Sequence, residues 1–309
     1  YYRFIQFAFF SQWYELRDYA NKKGIAIIGD IPIFTAPDSA DVWANKELFK
    51  LDSKGHPLEV AGVPPDYFSA TGQLWGNPLY DWDAMKDDDG YRWWIERVRN
   101  QLDQVDYIRI DHFRGFEAYW AVPAGEETAM NGKWKKGPGE ALFEAIQKAL
   151  GEELPIFAED LGIITDDVRA LRDKFGLPGM KILQFAFEDE DSNYLPYNQP
   201  YNCVCYTGTH DNDTTTGWYA TASEKARDKV RRYMNTDASQ VSWDFIRTCF
   251  GSPARFAIIP VQDLFCQGSD CRMNTPGKAD GNWAYRMKKE LLTSDVAKRL
   301  YDVTKLYGR

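Results

Sequence analysis

Residues 107–111 read Tyr107-Ile108-Arg109-Ile110-Asp111, a short apolar run that stops at a carboxylate. Three further runs have the same form: Ile25-Ala26-Ile27-Ile28-Gly29-Asp30, Pro155-Ile156-Phe157-Ala158-Glu159 and Cys203-Val204-Cys205-Tyr206-Thr207-Gly208-Thr209-His210-Asp211. Short apolar runs of this kind are typical of buried parallel strands. Each run therefore predicts a strand with an acidic group at its C-terminal end. In a β/α barrel those ends meet on the face where the chemistry is done.

Two further apolar runs, 180–185 and 256–262, bring the number of predicted strands to six. Capping residues and amphipathic spacing predict helices at 165–174 and 223–234, and another helix at 4–23 precedes the first strand. Alternating strands and helices predict an α/β fold, with a parallel sheet covered by helices. Because a TIM-type (β/α)8 barrel needs eight units, either the sheet is open or two β/α units lie upstream of this sequence.

Composition and charge exclude several classes of function. The 309 residues carry a net charge of -9 and no concentrated basic block, which argues against nucleic acid and anionic membranes as partners. The apolar runs are too short to span a bilayer, and the first residues lack the features of a signal peptide. The five cysteines show no CxxC spacing and are most simply reduced thiols, although Cys266 and Cys271 could bridge a loop. We expect a cytoplasmic protein, or a plastid protein if the source is a plant or alga.

The connection between the first two strands is unusually long. It covers residues 32–104 and is rich in Gly, Pro, aromatic and amide residues, most densely at 63–78. Long loops at the C-terminal ends of strands usually form lids and binding walls. The alternative is a structural excursion that packs its own aromatic side chains.

Two features of the strand ends bear on catalysis. Arg109 and Asp111 are two residues apart on one strand, so their side chains share a face. The guanidinium would keep the carboxylate ionised, as a nucleophile requires, or the two residues form a buried structural ion pair. Neighbours on a strand point to opposite faces, so the spacing leaves open whether Glu159 or Asp160 enters the site, and the same ambiguity exists at 210–211.

Patterns of other chemistries are missing from the sequence. Only three histidines are present, and no two of them share a helix face as metal ligands would. Neither a Gly-rich phosphate loop nor a GxSxG elbow follows a predicted strand. Carboxylates at strand ends remain, and glycosidic-bond chemistry needs a proton donor and a carboxylate on opposite sides of one bond. We therefore expect no metal and no organic cofactor.

The same residues resemble the 4-alpha-glucanotransferases (amylomaltases or disproportionating enzymes) of glycoside hydrolase family 77, in the alpha-amylase clan. The resemblance runs the length of the chain, and its motifs occur in the family's order. These motifs are Gly29-Asp30-Ile31-Pro32-Ile33-Phe34, Asp38-Ser39-Ala40-Asp41-Val42-Trp43, the loop from Pro64 to Pro78, Arg109-Ile110-Asp111-His112-Phe113-Arg114-Gly115-Phe116, Ala158-Glu159-Asp160-Leu161-Gly162, Thr207-Gly208-Thr209-His210-Asp211-Asn212-Asp213-Thr214, Arg272-Met273-Asn274-Thr275-Pro276-Gly277 and Gly281-Asn282-Trp283.

This resemblance implies catalytic roles that spacing alone does not assign. It implies that Asp111 is the nucleophile, Glu159 the general acid/base and Asp211 the transition-state stabiliser. It further implies that Arg109 and His210 support these acids and that Asp30 contacts a sugar ring. The substrate-binding residues implied are Asp30, Arg109, His210, Tyr67, Phe68, Ser69, Trp75 and Asn274.

The resemblance also implies a reaction and a fold. The reaction is transfer between α-1,4-glucans, with maltooligosaccharides or amylose as donor and acceptor, by a retaining double displacement. Residues 1–309 would form a catalytic (β/α)8 barrel without its first two β/α units, and 32–104 an inserted subdomain in the glucan-binding cleft. One departure is Leu195-Pro196-Tyr197-Asn198, where the family typically has Leu-Pro-His-Asn. Two alternatives stay open: an α-glucan hydrolase of the same clan, and a non-catalytic glucan-binding protein.

Overall fold

A strand overlaps each of the six apolar runs, although the first continues to Pro32, so that Asp30 lies inside it and not at its end as predicted. The computed structural model describes residues 1–65, 69–87, 89–278 and 280–309, and the chain forms two compact units, Tyr1–Pro178 and Gly179–Arg309. The strands are β1 (Ile28–Pro32), β2 (Glu59–Val63), β3 (Gln73–Pro78), β4 (Tyr107–Asp111), β5 (Ala118–Pro123), β6 (Lys133–Lys136), β7 (Ile156–Ala158), β8 (Gly179–Ile182), β9 (Cys203–Tyr206) and β10 (Phe256–Ile258). The α-helices are α1 (Tyr2–Lys22), α2 (Ala40–Ala44), α3 (Trp82–Asp87), α4 (Arg92–Leu102), α5 (Glu140–Leu150), α6 (Asp166–Lys174), α7 (Thr215–Thr221), α8 (Glu224–Met234), α9 (Val241–Phe250), α10 (Val261–Leu264) and α11 (Ser294–Leu306).

The first unit contains a parallel and an antiparallel sheet. The parallel sheet has the order β1-β4-β7, with Asp30 opposite Arg109 and Ile110 opposite Ala158. This register brings the C-terminal ends of three predicted strands to one edge, which is why their polar residues become neighbours. The antiparallel sheet has the order β3-β2-β5-β6. We did not predict β5 and β6, because their partner β2 lies in the long connection and the pairing is not local in sequence.

The long connection at 32–104 is a folded excursion. Its described residues contain β2, β3 and the helices α2, α3 and α4, and the Tyr80 side chain at its centre is fully buried. The Tyr80 hydroxyl donates to the Ile33 carbonyl oxygen at 2.7 Å, so the polar end of this buried ring is satisfied. Five aromatic rings pack around Tyr80: Phe34, Phe49, Trp82, Trp93 and Trp94. The segment therefore packs its own aromatic core, while Trp75 on β3 keeps 37% of its surface exposed.

The second unit contains a parallel sheet in the order β10-β9-β8. All three of its strands end earlier than we predicted, and β9 ends at Tyr206, five residues before Asp211. The chain tightens into a 3-10 turn at Leu183–Ala186, and the run 256–262 ends early because Pro260 precedes α10. Between β8 and β9 the structure has 3-10 turns and no α-helix, so this strand-helix unit is irregular.

Local sequence explains where the predicted helices begin. Helix α8 begins after Ser223, whose hydroxyl accepts from the Ala226 backbone N–H at 3.1 Å, as expected of a cap. Helix α6 begins after Thr165, whose side chain makes no capping bond. Two acidic residues in its first turn stabilise the helix by their interaction with the helix dipole. All five cysteines are free thiols. None of the described helices combines the length and apolarity needed to cross a membrane.

Candidate active site

A single arginine joins two of the predicted site carboxylates in the first unit. Arg109 Nη1 donates to both oxygens of Asp30 at 2.9 and 2.8 Å, and its Nη2 lies 2.8 Å from Asp111 Oδ1. The strand register explains the first contact, and the alternation of side chains along β4 explains the second. The Arg109 side chain is 10% exposed, whereas those of Asp30 and Asp111 are 48% and 42% exposed. The guanidinium of this three-residue cluster is therefore buried, and its two carboxylates are open to solvent.

The electrostatics of Arg109 keep its charge fixed. Burial alone would lower the pKa of the guanidinium, but the charges of Asp30, Asp111 and Glu159 outweigh it and raise the pKa. A permanent cation beside Asp111 favours the ionised carboxylate. The arrangement suits a carboxylate that must act as a charged nucleophile or charge stabiliser.

Glu159 lies just beyond the end of β7 and is held by backbone donors. Its Oε2 accepts from the His112 N–H at 2.8 Å, and its Oε1 accepts from the Leu161 N–H at 2.8 Å. Burial, followed by the charge of Asp111, raises the pKa of Glu159 to about 7, against the lowering effects of Arg109 and the two backbone N–H groups. A carboxyl group with this pKa can hold a proton near neutrality and release it in a later step.

Asp160 faces a different environment from Glu159. Its buried carboxylate pairs with Arg172 Nη1 on α6. The sequence left open which of the two acids enters the site. In the structure Asp160 forms a structural ion pair, and Glu159 lies with the residues around Arg109.

His112 is a neighbour of the acids that we did not predict as a site residue. Its backbone has a left-handed conformation, with φ of 52°, and its N–H bonds Glu159. Burial, with a smaller contribution from Arg114, lowers the pKa of the imidazole to about 3, so the ring is neutral. The Trp75 ring packs edge-on against it, with centroids 4.8 Å apart. His112 thus brings the predicted Trp75 to the strand ends, and its position directly after Asp111 was the available sequence signal.

The remaining predicted residues of the long connection are placed differently. Tyr67 and Phe68 lie outside the described residues. The Ser69 hydroxyl donates to the Gly72 carbonyl oxygen at 2.7 Å, which closes a turn before β3.

In the second unit, Asn274 contacts Asp211 directly. The Asn274 Nδ2 donates to Asp211 Oδ1 at 2.6 Å, and the Asn274 N–H donates to the His210 carbonyl oxygen at 3.0 Å. Arg272 donates from Nη2 to the Asp211 carbonyl oxygen at 2.5 Å. We predicted Asn274 to bind substrate, and in this structure its side chain holds a predicted catalytic acid.

His210 lies beside the same carboxylate. Its Nε2 is 3.4 Å from Asp211 Oδ2, and both side chains are partly exposed. The ring centroids of Trp283 and His210 are 5.4 Å apart, and the Trp283 backbone is left-handed, with a φ of 59°. The sequence motif containing Trp283 was noticed, but nothing in its spacing indicated this contact.

The structure therefore groups the predicted residues by unit. Asp30, Arg109, Asp111, Glu159 and Trp75 form one set, and His210, Asp211 and Asn274 form the other. Across the described ranges, no group of three His, Cys, Asp or Glu residues has a geometry that could hold a metal ion.

Comparison with known proteins identifies the family of this chain. The family model described as 4-alpha-glucanotransferase (glycoside hydrolase family 77) matches residues 1–293. The chain belongs to this family. It is 53% identical over its whole length to the 4-alpha-glucanotransferase of Synechocystis sp. and covers 62% of that protein. It is 52% identical over 96% of its length to the enzyme of Thermus thermophilus, of which it covers 61%.

A solved family structure is also similar. The amylomaltase of Streptococcus agalactiae in complex with acarbose has a TM-score of 0.95 and is 42% identical, with 98% of this chain and 62% of that chain covered. The chain thus spans about three-fifths of the length of these 4-alpha-glucanotransferases.

Proposed function

We propose that the protein containing this chain is a 4-alpha-glucanotransferase that moves α-1,4-glucan segments to the 4-hydroxyl of an acceptor glucan. The observation that carries the proposal is the pair formed by Asp111, held by a permanent cation, and Glu159, whose pKa is raised to about 7. A retaining glycoside enzyme needs one ionised and one protonated carboxyl group in this way. The family membership supports the substrate class.

In the proposed first step, an Asp111 carboxylate oxygen attacks the anomeric carbon of the donor. The bond from that carbon to the departing 4-oxygen breaks, and the oxygen takes the proton of Glu159. The product is a β-linked glucosyl-enzyme and a shorter glucan. Glu159 is now ionised, with a negative charge that Arg109 and the two backbone N–H groups stabilise.

The second step reverses these roles. Glu159 removes the proton from the 4-hydroxyl of an acceptor glucan, whose oxygen attacks the same anomeric carbon. The bond to Asp111 breaks, and the new linkage is again α. In this proposal Asp211 stabilises the positive charge that develops on the sugar in both steps. Asp30, which shares Arg109 with the nucleophile, contacts the sugar ring.

We propose a (β/α)8 barrel for the complete protein, with the parallel strands of both units contributing to it. In each unit the parallel strands are sequential neighbours, the order found in such barrels. In this proposal residues 1–309 belong to the catalytic barrel, and 32–104 contribute to a glucan-binding cleft. Trp75 is the aromatic residue on β3 that would stack on a sugar. The cytoplasmic or plastid location remains a prediction.

The test is a product ladder from maltotriose with the complete protein. A transferase yields longer maltooligosaccharides together with glucose, whereas a hydrolase of the same clan yields only shorter sugars. Asp111→Asn should abolish turnover and leave maltooligosaccharide binding measurable by calorimetry. If the parent binds maltooligosaccharides without converting them, the glucan-binding alternative is correct. If Asp111→Asn turns over like the parent, the nucleophile assignment is wrong.

A further inference from the structure

A fully buried carboxylate lies at the base of the loop that carries Asp211. Asp263, in α10, is 0% exposed. Its Oδ2 accepts from the hydroxyls of Thr207 at 2.6 Å and Thr215 at 2.7 Å, and its Oδ1 accepts from the Thr215 backbone N–H at 2.9 Å. Thr207 directly follows β9, and Thr215 begins α7. One side chain therefore ties both ends of the segment 207–215, which we call the Asp211 loop.

A carboxylate is an expensive choice for this position if it serves stability alone. Burial raises the pKa of Asp263, and the three donors from Thr207 and Thr215 act against this shift. Burying a carboxylate costs free energy, which hydrogen bonds to the charged form offset. A single side chain with two acceptor oxygens can, however, receive three donors at once. The three donors at the two ends of the segment therefore explain why a carboxylate occupies this position.

Side-chain hydrogen bonds hold the interior of the Asp211 loop. Asn212 Oδ1 accepts from the Thr209 hydroxyl at 2.8 Å and from its N–H at 2.9 Å. Gln184 Nε2 donates to the Asp213 carbonyl oxygen at 2.8 Å. Because these contacts connect the interior of the loop to its ends, a displacement of either end at Thr207 or Thr215 would be passed on to Asp211, whose carboxylate Asn274 also holds.

We propose that Asp263 is a positioning residue for Asp211, which it controls by fixing both ends of the Asp211 loop. The proposal rests on the proposed function, because it assumes that Asp211 acts in turnover. A misplacement of about 1 Å at a reacting group can lower a rate by about 100-fold. Asp263 itself contacts no substrate in this proposal.

The first test compares two substitutions of one donor, each measured in the complete protein. Thr207→Val removes the hydroxyl and keeps the shape, whereas Thr207→Ser keeps the hydroxyl and loses the methyl group. We expect Thr207→Val to lower kcat about tenfold with KM unchanged, a part of the about 100-fold that full misplacement can cost. Thr207→Ser should rescue most of this loss. Equal activity of the two variants would overturn the proposal.

The second test asks whether Asp263 acts through Asp211. Asp263→Asn should lower kcat about 100-fold in the parent but have almost no further effect in an Asp211→Asn background, because residues that act as a unit are not additive. An activated glycosyl fluoride donor keeps the residual rates measurable. The same cycle with Thr207→Val serves if Asp263→Asn does not fold. A loss of the same factor in both backgrounds would mean a merely structural role and would overturn the proposal.

A matched control separates local stability from positioning. Ser242 Oγ on α9 lies 2.9 Å from Thr216 Oγ1 on α7, next to the Asp211 loop but outside it. Ser242→Ala should lower the melting temperature without changing kcat. If Asp211→Asn alone leaves turnover unchanged, the proposed function fails. If Asp211→Asn is impaired but Asp263→Asn and Thr207→Val are not, only the positioning proposal fails.

Discussion

The carboxylates of the two units are held by different kinds of partner. In the first unit the buried guanidinium of Arg109 contacts the carboxylates of Asp30 and Asp111. In the second unit the carboxylate of Asp211 accepts from the neutral amide of Asn274, and that of Asp263 accepts from hydroxyl and backbone donors. One set is therefore organised by charge and the other by dipoles.

This difference has an electrostatic consequence for Glu159. Burial and then the charge of Asp111 raise the pKa of Glu159, and Arg109 lowers it only in part, so the group can serve as a proton donor at neutral pH. The Asp211 carboxylate is held differently: it accepts from the Asn274 amide, while the Arg272 guanidinium contacts the Asp211 backbone carbonyl oxygen. The negative charge of this carboxylate suits the stabilisation of a cationic transition state. The comparison predicts that cation removal and amide removal will have effects of different size and pH dependence.

Removal of the cation should have the largest effect. Arg109→Met leaves Asp30 and Asp111 without their partner, and we expect kcat/KM to fall by about 100- to 1,000-fold. Since Arg109 lowers the pKa of Glu159, its loss should also move the alkaline limb of the kcat/KM profile above pH 7. Stability should fall by about 3 kcal/mol, at the lower end for buried pairs because both carboxylates are partly exposed.

The control for this variant is Arg114→Met, which removes another buried guanidinium that lies 3.9 Å from the Trp134 ring centroid. Arg114→Met should be less stable than the parent, but the alkaline limb of its kcat/KM profile should stay near that of the parent. An alkaline limb that moves to lower pH in Arg109→Met would contradict the charge-held description of the first unit.

Much of this comparison was accessible from the sequence. The apolar runs predicted the six parallel strands, and the two-residue spacing of Arg109 and Asp111 predicted a shared face. Spacing could not choose between Glu159 and Asp160, because the choice depends on Arg172, which lies on α6, 12 residues further along the chain than Asp160. No signal in the sequence indicated a role for Asp263, which follows the predicted run 256–262, since its partners are about 50 residues away in the chain and are brought to it by sheet formation.

The ion pair of Asp160 offers a test of which acid faces the site. Asp160→Asn breaks a buried pair with Arg172, and we expect a loss of about 3 kcal/mol in the free energy of unfolding. The kcat of the folded protein should stay close to that of the parent, because Asp160 faces away from Arg109. Denaturant unfolding and assays at saturating substrate measure the two quantities.

Asp173→Asn is the matched control for Asp160→Asn, because Asp173 pairs with the same arginine. The Asp173 side chain is 61% exposed. Its substitution should cost about 1 kcal/mol or less. A loss of kcat in Asp160→Asn as deep as that in Glu159→Gln would reverse the assignment of the two acids.

The raised pKa of Glu159 predicts a pH-dependent stability difference of intermediate size. Between about pH 4.5 and pH 7 the folded state holds a proton that the unfolded state has released, so the parent loses stability as the pH rises through this window. Glu159→Gln lacks this loss. One pKa unit corresponds to about 1.4 kcal/mol, and with a discount for partial exposure we expect the variant to gain about 2 kcal/mol on the parent between pH 4.5 and pH 8. Parallel curves from denaturant unfolding would mean that the pKa of Glu159 is not raised.

The smallest effect should come from the amide in the second unit. Asn274→Ala removes the donor 2.6 Å from Asp211 Oδ1, and we expect kcat to fall about tenfold, since a hydrogen bond to a charged group contributes about 1.5–3 kcal/mol and this one is partly exposed. KM should not change if Asn274 positions Asp211. If Asn274 instead binds the sugar in the ground state, its removal should raise KM at constant kcat.

Asn274→Asp sharpens the distinction between these two roles. Its ionised carboxylate repels Asp211, so its kcat should be lower than that of Asn274→Ala at pH 7 and recover as the pH falls, because the protonated form can donate in place of the amide. A rise in KM alone in both variants would return Asn274 to the substrate-binding role predicted from the sequence.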